Sequence, residues 1–168
     1  MTIGKKNKTV KMAERSKIKY QKISGILAGV SGEYFVAAEL SRRGYISSVT
    51  LKNTKGIDIL VTNESATKTI GIQVKTNQND RKSWILNNKA ENFYADDLYY
   101  VFVNLVGVGK LPEYYIVPSK TVADTIKKGH QDWLDSPGKY GQSHNDNPVR
   151  KFEDNEQKYL DKWDTLEF

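Results

Sequence analysis

The chain has 168 residues, contains no cysteine, and carries a formal net charge of +6. This length fits one folded domain, and the lack of cysteine excludes disulfide bonds, thiol catalysis and thiolate metal sites. No stretch approaches the roughly 18 to 20 apolar residues of a membrane span, and the N-terminus lacks an apolar signal region. We therefore expect a cytoplasmic protein that is neither exported nor inserted into a membrane.

The positive charge is concentrated in the first 22 residues, where eight basic residues face one acidic residue, Glu14, for a net charge of +7. The rest of the chain must then carry −1. Basic arms steer proteins toward polyanions such as DNA, although they also occur as solvated tails that aid solubility. We predict a flexible basic arm over residues 1–22 and a single α/β domain over residues 23–168.

The first predicted element is a helix over Ser24–Arg43, which ends at Gly44, a residue suited to the left-handed conformation that follows many helices. Three predicted strands follow at Ile46–Leu51, Ile57–Val61 and Thr69–Thr76. Each is short, rich in β-branched residues and bounded by turn-forming residues. The last two strands are expected to pair as a hairpin.

The second half of the chain predicts two more strands and two more helices. Leu98–Val106 has the composition of a buried strand, and Tyr114–Val117 is predicted to be its neighbour. Ser119 is expected to cap a helix that follows it. Asn155–Phe168 is expected to form the last helix, and the intervening stretch at 135–148 is rich in turn-forming residues.

Glu33 is the first candidate functional residue, because it is predicted to lie on the apolar stripe of the first helix. The residues that share this stripe, at helical offsets, are Ile26, Val30, Val36, Ala37 and Leu40. Burial of an unpaired carboxylate is costly, so the position calls for a cation, a metal ion or a hydrogen-bond network. Glu39, in contrast, is spaced to pair with Arg43 on the surface.

The two hairpin strands carry polar residues among alternating apolar ones. Asp58 lies opposite the apolar side of its strand, and Gln73 and Lys75 lie opposite the apolar side of the next. If the strands pair, these three side chains share a face, and a helix packed nearby could add Glu33. Taken singly, each residue could equally be a solvated strand residue, a turn residue or part of a surface ion pair.

This combination of residues suits phosphodiester hydrolysis. Carboxylate and amide oxygens hold Mg²⁺, which polarises a phosphate and activates water, while a lysine stabilises the developing charge or orients the water. The histidines and the glycine-rich stretch offer less. His130 and His144 show no metal-ligand spacing, and the stretch at 107–110 lacks the spacing of a phosphate-binding loop and is predicted to be a hairpin turn.

The segments GVSGEYFVAAELSRRGY, GIDILV and IGIQVKT together resemble the PD-(D/E)XK nuclease superfamily, which includes Holliday-junction resolvases, restriction enzymes and some intron-encoded homing endonucleases. By this resemblance, Glu33 matches the helix acid, Asp58 the strand acid and Lys75 the motif lysine. Gln73 stands where the family has an acid, and no proline precedes Asp58. Loss of one carboxylate weakens a metal site, although amide oxygens do bind hard cations.

The resemblance implies a restriction-endonuclease-like α/β fold, with a central mixed β-sheet flanked by helices. It implies Mg²⁺, with Mn²⁺ as a substitute, held by Glu33, Asp58, Gln73 and the main-chain carbonyl of Val74, with Lys75 as the fourth catalytic side chain. It further implies a DNA substrate and permits a homodimer. The alternative is a fold of this kind with weakened catalysis that serves as a nucleic-acid-binding or protein-interaction module.

Overall fold

The computed structural model describes residues 22–51, 56–79 and 81–168, so the predicted basic arm lies outside it except for Lys22. Helix α1 spans Gly25–Arg42 and begins after Ser24, whose hydroxyl oxygen accepts a hydrogen bond from the Leu27 amide at 3.3 Å. Gly44 follows the helix with a φ of 89°, a left-handed conformation that favours glycine. The predicted first helix and the signals that bound it are confirmed.

Seven strands and a second long helix, α2, complete the regular structure of the described residues. The strands are β1 (Ile46–Val49), β2 (Ile59–Thr62), β3 (Thr69–Asn77), β4 (Ser83–Asn87), β5 (Leu98–Asn104), β6 (Glu113–Pro118) and β7 (Val149–Glu153). Helix α2 spans Ser119–Asp135, and short 3₁₀ turns lie at Asn88–Asn92 and Trp163–Thr165.

The main sheet has the strand order β1-β2-β3-β5-β6, in which only the β3–β5 pair is parallel. The antiparallel β2–β3 pair is the predicted hairpin, and its turn is held by the Asn63 side chain, which accepts from the amides of Thr67 and Lys68. A parallel pair needs a long crossover, and β4 with its 3₁₀ turn supplies it. Strand β4 pairs with β7 in a separate two-stranded sheet.

Apolar side chains cover both faces of the main sheet. On one face, Val36 and Leu40 of α1 pack against residues of β2 and β3. On the other, Val122 and Ile126 of α2 pack with aromatic residues of β5, β6 and the small sheet. The prediction of a central mixed sheet flanked by helices is therefore confirmed. No helix in the described ranges has the length and apolar character needed to cross a membrane.

The apolar stripe predicted for α1 is correct at Val36 and Leu40 but wrong at its beginning, where Ile26 is exposed. The buried residues are Ala28, Gly32, Val36 and Leu40, at a regular spacing of four, whereas Ile26 is 73% exposed. Glu33 is half-buried and follows Gly32, so it lies on the flank of this stripe and not within it. One reason is Gly32, which adds nothing to a hydrophobic pattern because it has no side chain. Here it packs so close to β3 that a β-carbon would overlap the side chain of Thr76.

The C-terminal helix predicted over Asn155–Phe168 is wrong. This segment follows the edge of β6: the Tyr159 carbonyl accepts from the Ile116 amide, and the Asp161 amide donates to the Tyr114 carbonyl. The carboxylate of Asp154 stabilises the turn before this paired segment by accepting hydrogen bonds from the amides of Lys158 and Tyr159. Pairing with an open sheet edge thus satisfies main-chain groups that a helix would have satisfied internally.

Ser119 does not cap α2 with its side chain. Its hydroxyl is buried and exchanges hydrogen bonds with the main chain of Ala95, at 3.0 Å to the carbonyl and 3.1 Å from the amide. The residue before the helix is Pro118, which offers no side-chain cap. Ser119 therefore ties the start of α2 to the loop that leads into β5.

Candidate functional site

Asp58 lies at the point where the β2–β3 hairpin opens. The last ladder pair is Ile59 with Ile72, and beyond it the Asp58 amide donates to the Ile72 carbonyl at 2.8 Å. Its carboxylate then accepts a hydrogen bond from the Val74 amide at 2.7 Å. A charged acceptor makes this bond stronger than a neutral one. Beyond the end of β2, the Asp58 side chain thus accepts the hydrogen bond that the Val74 amide would otherwise donate to a main-chain carbonyl of a neighbouring strand.

The other side of Asp58 is held by the segment after β1. Its carbonyl accepts from the Thr50 amide at 2.9 Å, and the Thr50 hydroxyl donates to the neighbouring Ile57 carbonyl at 2.6 Å. The main chain of Asp58 is therefore fixed between two strands, which orients the carboxylate before any ligand binds. Preorganisation of this kind is what a functional carboxylate requires.

Gln73 and Lys75 lie on β3 on either side of Val74. Val74 is buried toward α1, so strand alternation directs the two polar side chains to the face of the sheet that carries α2. Both are half-buried and line a cavity of about 510 Å³. Gly56, before β2, also lines it, and the other lining residues come from β4, the 3₁₀ turn after it and β5: Leu86, Asn87, Lys89, Ala90, Asn92, Phe93 and Tyr100.

Glu33 approaches Asp58 from the α1 side of the sheet. The two carboxylate residues line one cavity of about 330 Å³, together with Gly29 and Val30 of the helix and Thr50 after β1. Gly32 brings the helix this close, because a β-carbon at Gly32 would overlap the side chain of Thr76 on β3. The close approach at Gly32 therefore places the next residue, Glu33, beside the open end of the hairpin.

The four predicted site residues therefore line two different cavities. Glu33 and Asp58 share the first cavity, Gln73 and Lys75 share the second, and Asp58 is bonded to the main chain between the latter two. The sequence suggested one shared face, but α1 packs on the side of the sheet opposite to Gln73 and Lys75. The connection is the hydrogen bond from the Val74 amide to Asp58, at the edge of β3 that is left open where β2 ends.

Tyr100 shows that the charge of Asp58 reaches the second cavity. Burial and, in second place, the negative charge of Asp58 raise the pKa of Tyr100 from 10.0 to about 12. Tyr100 lies beside Gln73 in the parallel β3–β5 ladder and lines the cavity with it. The protonated phenol can donate a hydrogen bond, and the raised pKa extends this protonated form to higher pH. Tyr100 belongs to the predicted buried strand Leu98–Val106, and only the strand order reveals its position at this cavity.

The main-chain carbonyl of Val74 faces the same gap as the Asp58 carboxylate. The Gly71 amide and the Asn77 carbonyl bond toward the β5 side of β3, so alternation directs the amide and carbonyl of Val74 toward the β2 side. There the amide meets Asp58, because β2 has already ended. The carbonyl oxygen is thus placed beside the carboxylate that binds its own amide.

The oxygen atoms of these groups are suitable ligands for a hard divalent cation. Two carboxylates, one amide oxygen and one main-chain carbonyl are the oxygen ligands that Mg²⁺ and Mn²⁺ prefer. Within the described ranges, no group of three or more His, Cys, Asp or Glu residues is arranged to hold a metal ion. A cation here would accordingly depend on neutral oxygens for part of its shell, as expected when Gln73 stands in the position of an acid.

The two histidines, which were not predicted to be metal ligands, are distant in sequence from this site. His130 lies on α2 and His144 lies in the loop after it. His130 Nε2 lies 2.8 Å from a carboxylate oxygen of Asp146, and the His144 ring stacks on Trp133 with centroids 4.1 Å apart. The glycines at 107 and 109 lie in the loop between the antiparallel strands β5 and β6, as predicted for a hairpin turn.

Comparison with known proteins gives similarity in structure alone. No protein-family model and no curated protein matches the sequence. The bacterial homing endonuclease I-Ssp6803I is similar with a TM-score of 0.49 and 15% identity, over 86% of this chain and 92% of that chain. Hjc, a Holliday junction resolvase from the archaeal hyperthermophile Archaeoglobus fulgidus, is similar with a TM-score of 0.41 and 14% identity, over 74% and 83%. The likeness concerns the fold.

Proposed function

We propose that the chain is a metal-dependent endonuclease of PD-(D/E)XK type that hydrolyses DNA phosphodiester bonds. The observation that carries this proposal is the 2.7 Å hydrogen bond from the Val74 amide to Asp58. Asp58 lines one cavity with Glu33, and Val74 lies between Gln73 and Lys75, which line the other cavity. The hydrogen bond therefore connects the two pairs of residues. Acids, an amide, a carbonyl and a lysine are the groups that phosphodiester hydrolysis uses, and this hydrogen bond links the two cavities that hold them.

Each residue has a proposed role. The carboxylates of Glu33 and Asp58, with the Gln73 amide oxygen and the Val74 carbonyl, would hold Mg²⁺ or Mn²⁺. The bound ion would polarise the scissile phosphate and activate water. Lys75 orients the attacking water or stabilises the charge that develops on the phosphate. Asp58 keeps its orientation through the bond to Val74, so little reorganisation accompanies the reaction.

DNA is the proposed substrate, and the basic arm is the proposed phosphate anchor. Residues 1–22 carry +7, while the rest of the chain is nearly neutral, so most non-specific attraction to a polyanion would come from the arm. The half-buried Lys75 and the exposed Lys89 at the second cavity supply local positive charge near the proposed reaction site. A cysteine-free chain suits the reducing cytoplasm, where we propose that it acts.

Lys75→Ala tests the proposal directly. Supercoiled, linear and branched DNA would be incubated with the full chain and Mg²⁺ or Mn²⁺, and the cleavage rate measured. Removal of the lysine is expected to reduce the rate by at least about 100-fold, as for other groups that stabilise transition-state charge. Lys128→Ala on the exposed side of α2 is the matched control and is expected to leave the rate unchanged. Equal rates for wild type and Lys75→Ala would remove this residue from the mechanism.

A second candidate function is a nucleic-acid-binding or protein-interaction module with weakened catalysis. The observation that favours it is Gln73 in place of an acid, which leaves two carboxylates near the strand edge. DNA binding with a steep salt dependence, without cleavage in any divalent metal, is the pattern expected of a nucleic-acid-binding module.

Gln73→Glu separates the two functions. A third carboxylate in the proposed metal site is expected to raise Mn²⁺ affinity at least about tenfold, measured by titration calorimetry, because each added charge strengthens a hard-cation site. The matched control is Asn92→Asp, which adds a carboxylate at another residue that lines the cavity of Gln73. If both variants bind Mn²⁺ no better than wild type, the strand edge is not a metal site.

A further inference from the structure

The second cavity, which Gln73 and Lys75 line on the α2 side of the sheet, is larger than a metal ion and its water ligands require. Its volume of about 510 Å³ falls within the range of about 300–1,000 Å³ that is typical of small-ligand pockets. Eight of the ten described residues that line it have no part in the proposed hydrolysis. The second cavity therefore has room for a further part of a substrate.

Apolar and aromatic side chains supply part of the lining of the second cavity. Leu86 and Ala90 are buried, and Phe93 is half-buried. The end of the Phe93 ring contacts the main chain at Gly56, where a β-carbon would lie 2.4 Å from Cζ of the ring. A side chain at residue 56 would therefore displace the ring. An aromatic ring that is held in place in this way provides a stacking surface for a flat ligand.

The phenol of Tyr100 is a buried polar group at the second cavity. Tyr100 is 1% exposed, and among the described residues its hydroxyl has no hydrogen-bond partner. Buried polar groups are ordinarily paired, as is the hydroxyl of Tyr115 on the next strand, which donates to the Glu113 carboxylate at 3.3 Å. Because Tyr100 lines the second cavity, a polar atom of a bound ligand would satisfy its hydroxyl.

The polar lining of the second cavity consists of side-chain amides and lysines. An amide side chain offers both donors and an acceptor, the combination that the edge of a nucleobase also presents. Asn87 Oδ1 accepts a hydrogen bond from the Lys89 main-chain amide at 3.1 Å, which orients the Asn87 side chain and leaves its amide nitrogen to donate. No described lining residue carries a carboxylate, so the charge favours an anionic ligand. The polar lining residues are Gln73, Lys75, Asn87, Lys89 and Asn92.

A stacking surface, amide groups and lysines in one cavity together match the parts of a nucleotide. We propose that the second cavity binds the base of an unpaired nucleotide, stacked on Phe93 and hydrogen-bonded to Tyr100 and Asn87, with Lys75 and Lys89 directed to its phosphate. A base inside a duplex is paired and stacked, so it enters a pocket between side chains only when it is extruded or single-stranded. The ligand is therefore a nucleotide outside a regular duplex.

The inference rests on the proposed function in one respect, which is that DNA supplies the nucleotide. Gln73 and Lys75 belong both to the second cavity and to the proposed hydrolytic site, so a base bound there would belong to a nucleotide next to the scissile phosphate. Selection of the cleavage position would then depend on unpaired bases, such as those at mismatches, bulges and single-stranded ends. The substrate class is DNA that contains unpaired bases.

The first test measures binding to the full chain by titration calorimetry in EDTA, so that no cleavage occurs. The probes are the four deoxynucleoside monophosphates and, as the control without a base, 2-deoxyribose 5-phosphate. At least one mononucleotide is expected to bind at least about tenfold more tightly than the sugar phosphate, because stacking on an aromatic ring requires the base. Equal affinities would mean a phosphate site alone and would overturn the proposal.

A single-stranded oligonucleotide identifies the source of the base. Binding at least about tenfold tighter than the best mononucleotide, and weakened by an abasic residue at one position, would identify a DNA strand as the ligand. Equal affinity for the oligonucleotide and the mononucleotide would identify a free nucleotide. Both results support the pocket for a base, and only the first supports DNA as its source.

The second test changes the two aromatic residues of the pocket. Phe93→Leu removes the stacking surface and is expected to weaken binding of the mononucleotide about tenfold, and Tyr100→Phe removes only the hydroxyl and is expected to weaken it about fivefold. The matched controls are Phe35→Leu on α1 and Tyr140→Phe after α2, which are expected to bind as wild type. Tyr100→Phe preserves the shape of the buried side chain, so it remains decisive if Phe93→Leu does not fold. Unchanged affinity in Tyr100→Phe and in any folded Phe93→Leu would overturn the proposal.

The outcomes for the base pocket and for the proposed nuclease activity are separable. Binding that requires the base, without cleavage in any divalent metal, would support the pocket and contradict the nuclease. Cleavage that is lost in Lys75→Ala, together with equal affinities for mononucleotides and 2-deoxyribose 5-phosphate, would support the nuclease and overturn the pocket.

Discussion

The two long helices lie on opposite faces of one sheet and have very different surfaces. Helix α2 buries Val122, Ala123 and Ile126 and fills its remaining positions mostly with charged and polar residues. Helix α1 contains three glycines in 18 residues and keeps apolar side chains on its outer face as well. Packing against the sheet accounts for the buried residues of α2. The additional features of α1 are a close approach to β3, a carboxylate at a cavity and several exposed apolar side chains.

Glycine substitutions separate these demands, because the same change meets different surroundings in each helix. At Gly32 a β-carbon would overlap the side chain of Thr76, while at Gly29 and Gly129 it would meet nothing within 4 Å. None of the three has a left-handed backbone. Differences among their alanine variants therefore report packing and not backbone conformation.

The largest expected effect is that of Gly32→Ala. Overpacking against Thr76 costs about 1–3 kcal/mol, and the gain of alanine over glycine in a helix offsets about 1 kcal/mol of it. The net expectation is a loss of up to about 2 kcal/mol in the free energy of unfolding, measured by denaturant titration. Because the helix must move away from β3 to relieve the overlap, Mn²⁺ binding at the Glu33–Asp58 cavity is expected to weaken as well.

Removal of the overlapping atoms provides the control for Gly32→Ala. Thr76→Ala deletes the hydroxyl, which is buried without a hydrogen-bond partner among the described residues, and should itself cost little. The double variant Gly32→Ala/Thr76→Ala is expected to recover most of the lost stability. An unchanged deficit in the double variant would contradict the close helix–strand contact as its cause.

The sequence predicts those parts of the fold that depend on neighbouring residues. Ser24 and Gly44 bound α1, and Asn63 closes the β2–β3 turn, because caps and turns are made within a few residues. Strands β4 and β7 were not predicted. They pair across more than 60 residues, and each is only five residues long, too short for a distinct periodic signal.

The candidate site divides in the same way. Strand alternation places Gln73 and Lys75 on one side of β3, and this much follows from their spacing. The side on which α1 packs, and hence the route by which Glu33 reaches Asp58, depends on contacts between distant segments. The position of Tyr100 at the second cavity could not be predicted from the sequence for the same reason, because it depends on the parallel pairing of β3 with β5.

The smallest expected effects are those of Gly129→Ala in α2 and Gly29→Ala in α1. Both positions are helical with space for a methyl group, so each variant is expected to raise the free energy of unfolding by about 0.5–1 kcal/mol. Equal gains would show that the two helices respond alike wherever packing does not intervene. Denaturant titration of both variants beside wild type measures this.

Metal binding should then distinguish the two variants that stability does not. Gly29 lines the cavity of Glu33 and Asp58, whereas Gly129 lies on the other face of the sheet. A methyl group at residue 29 narrows that cavity, so Gly29→Ala is expected to lower Mn²⁺ affinity several-fold while Gly129→Ala leaves it unchanged. Identical affinities in the two variants would mean that the cavity between α1 and Asp58 is not where the cation binds, even if both proteins are stabilised as expected.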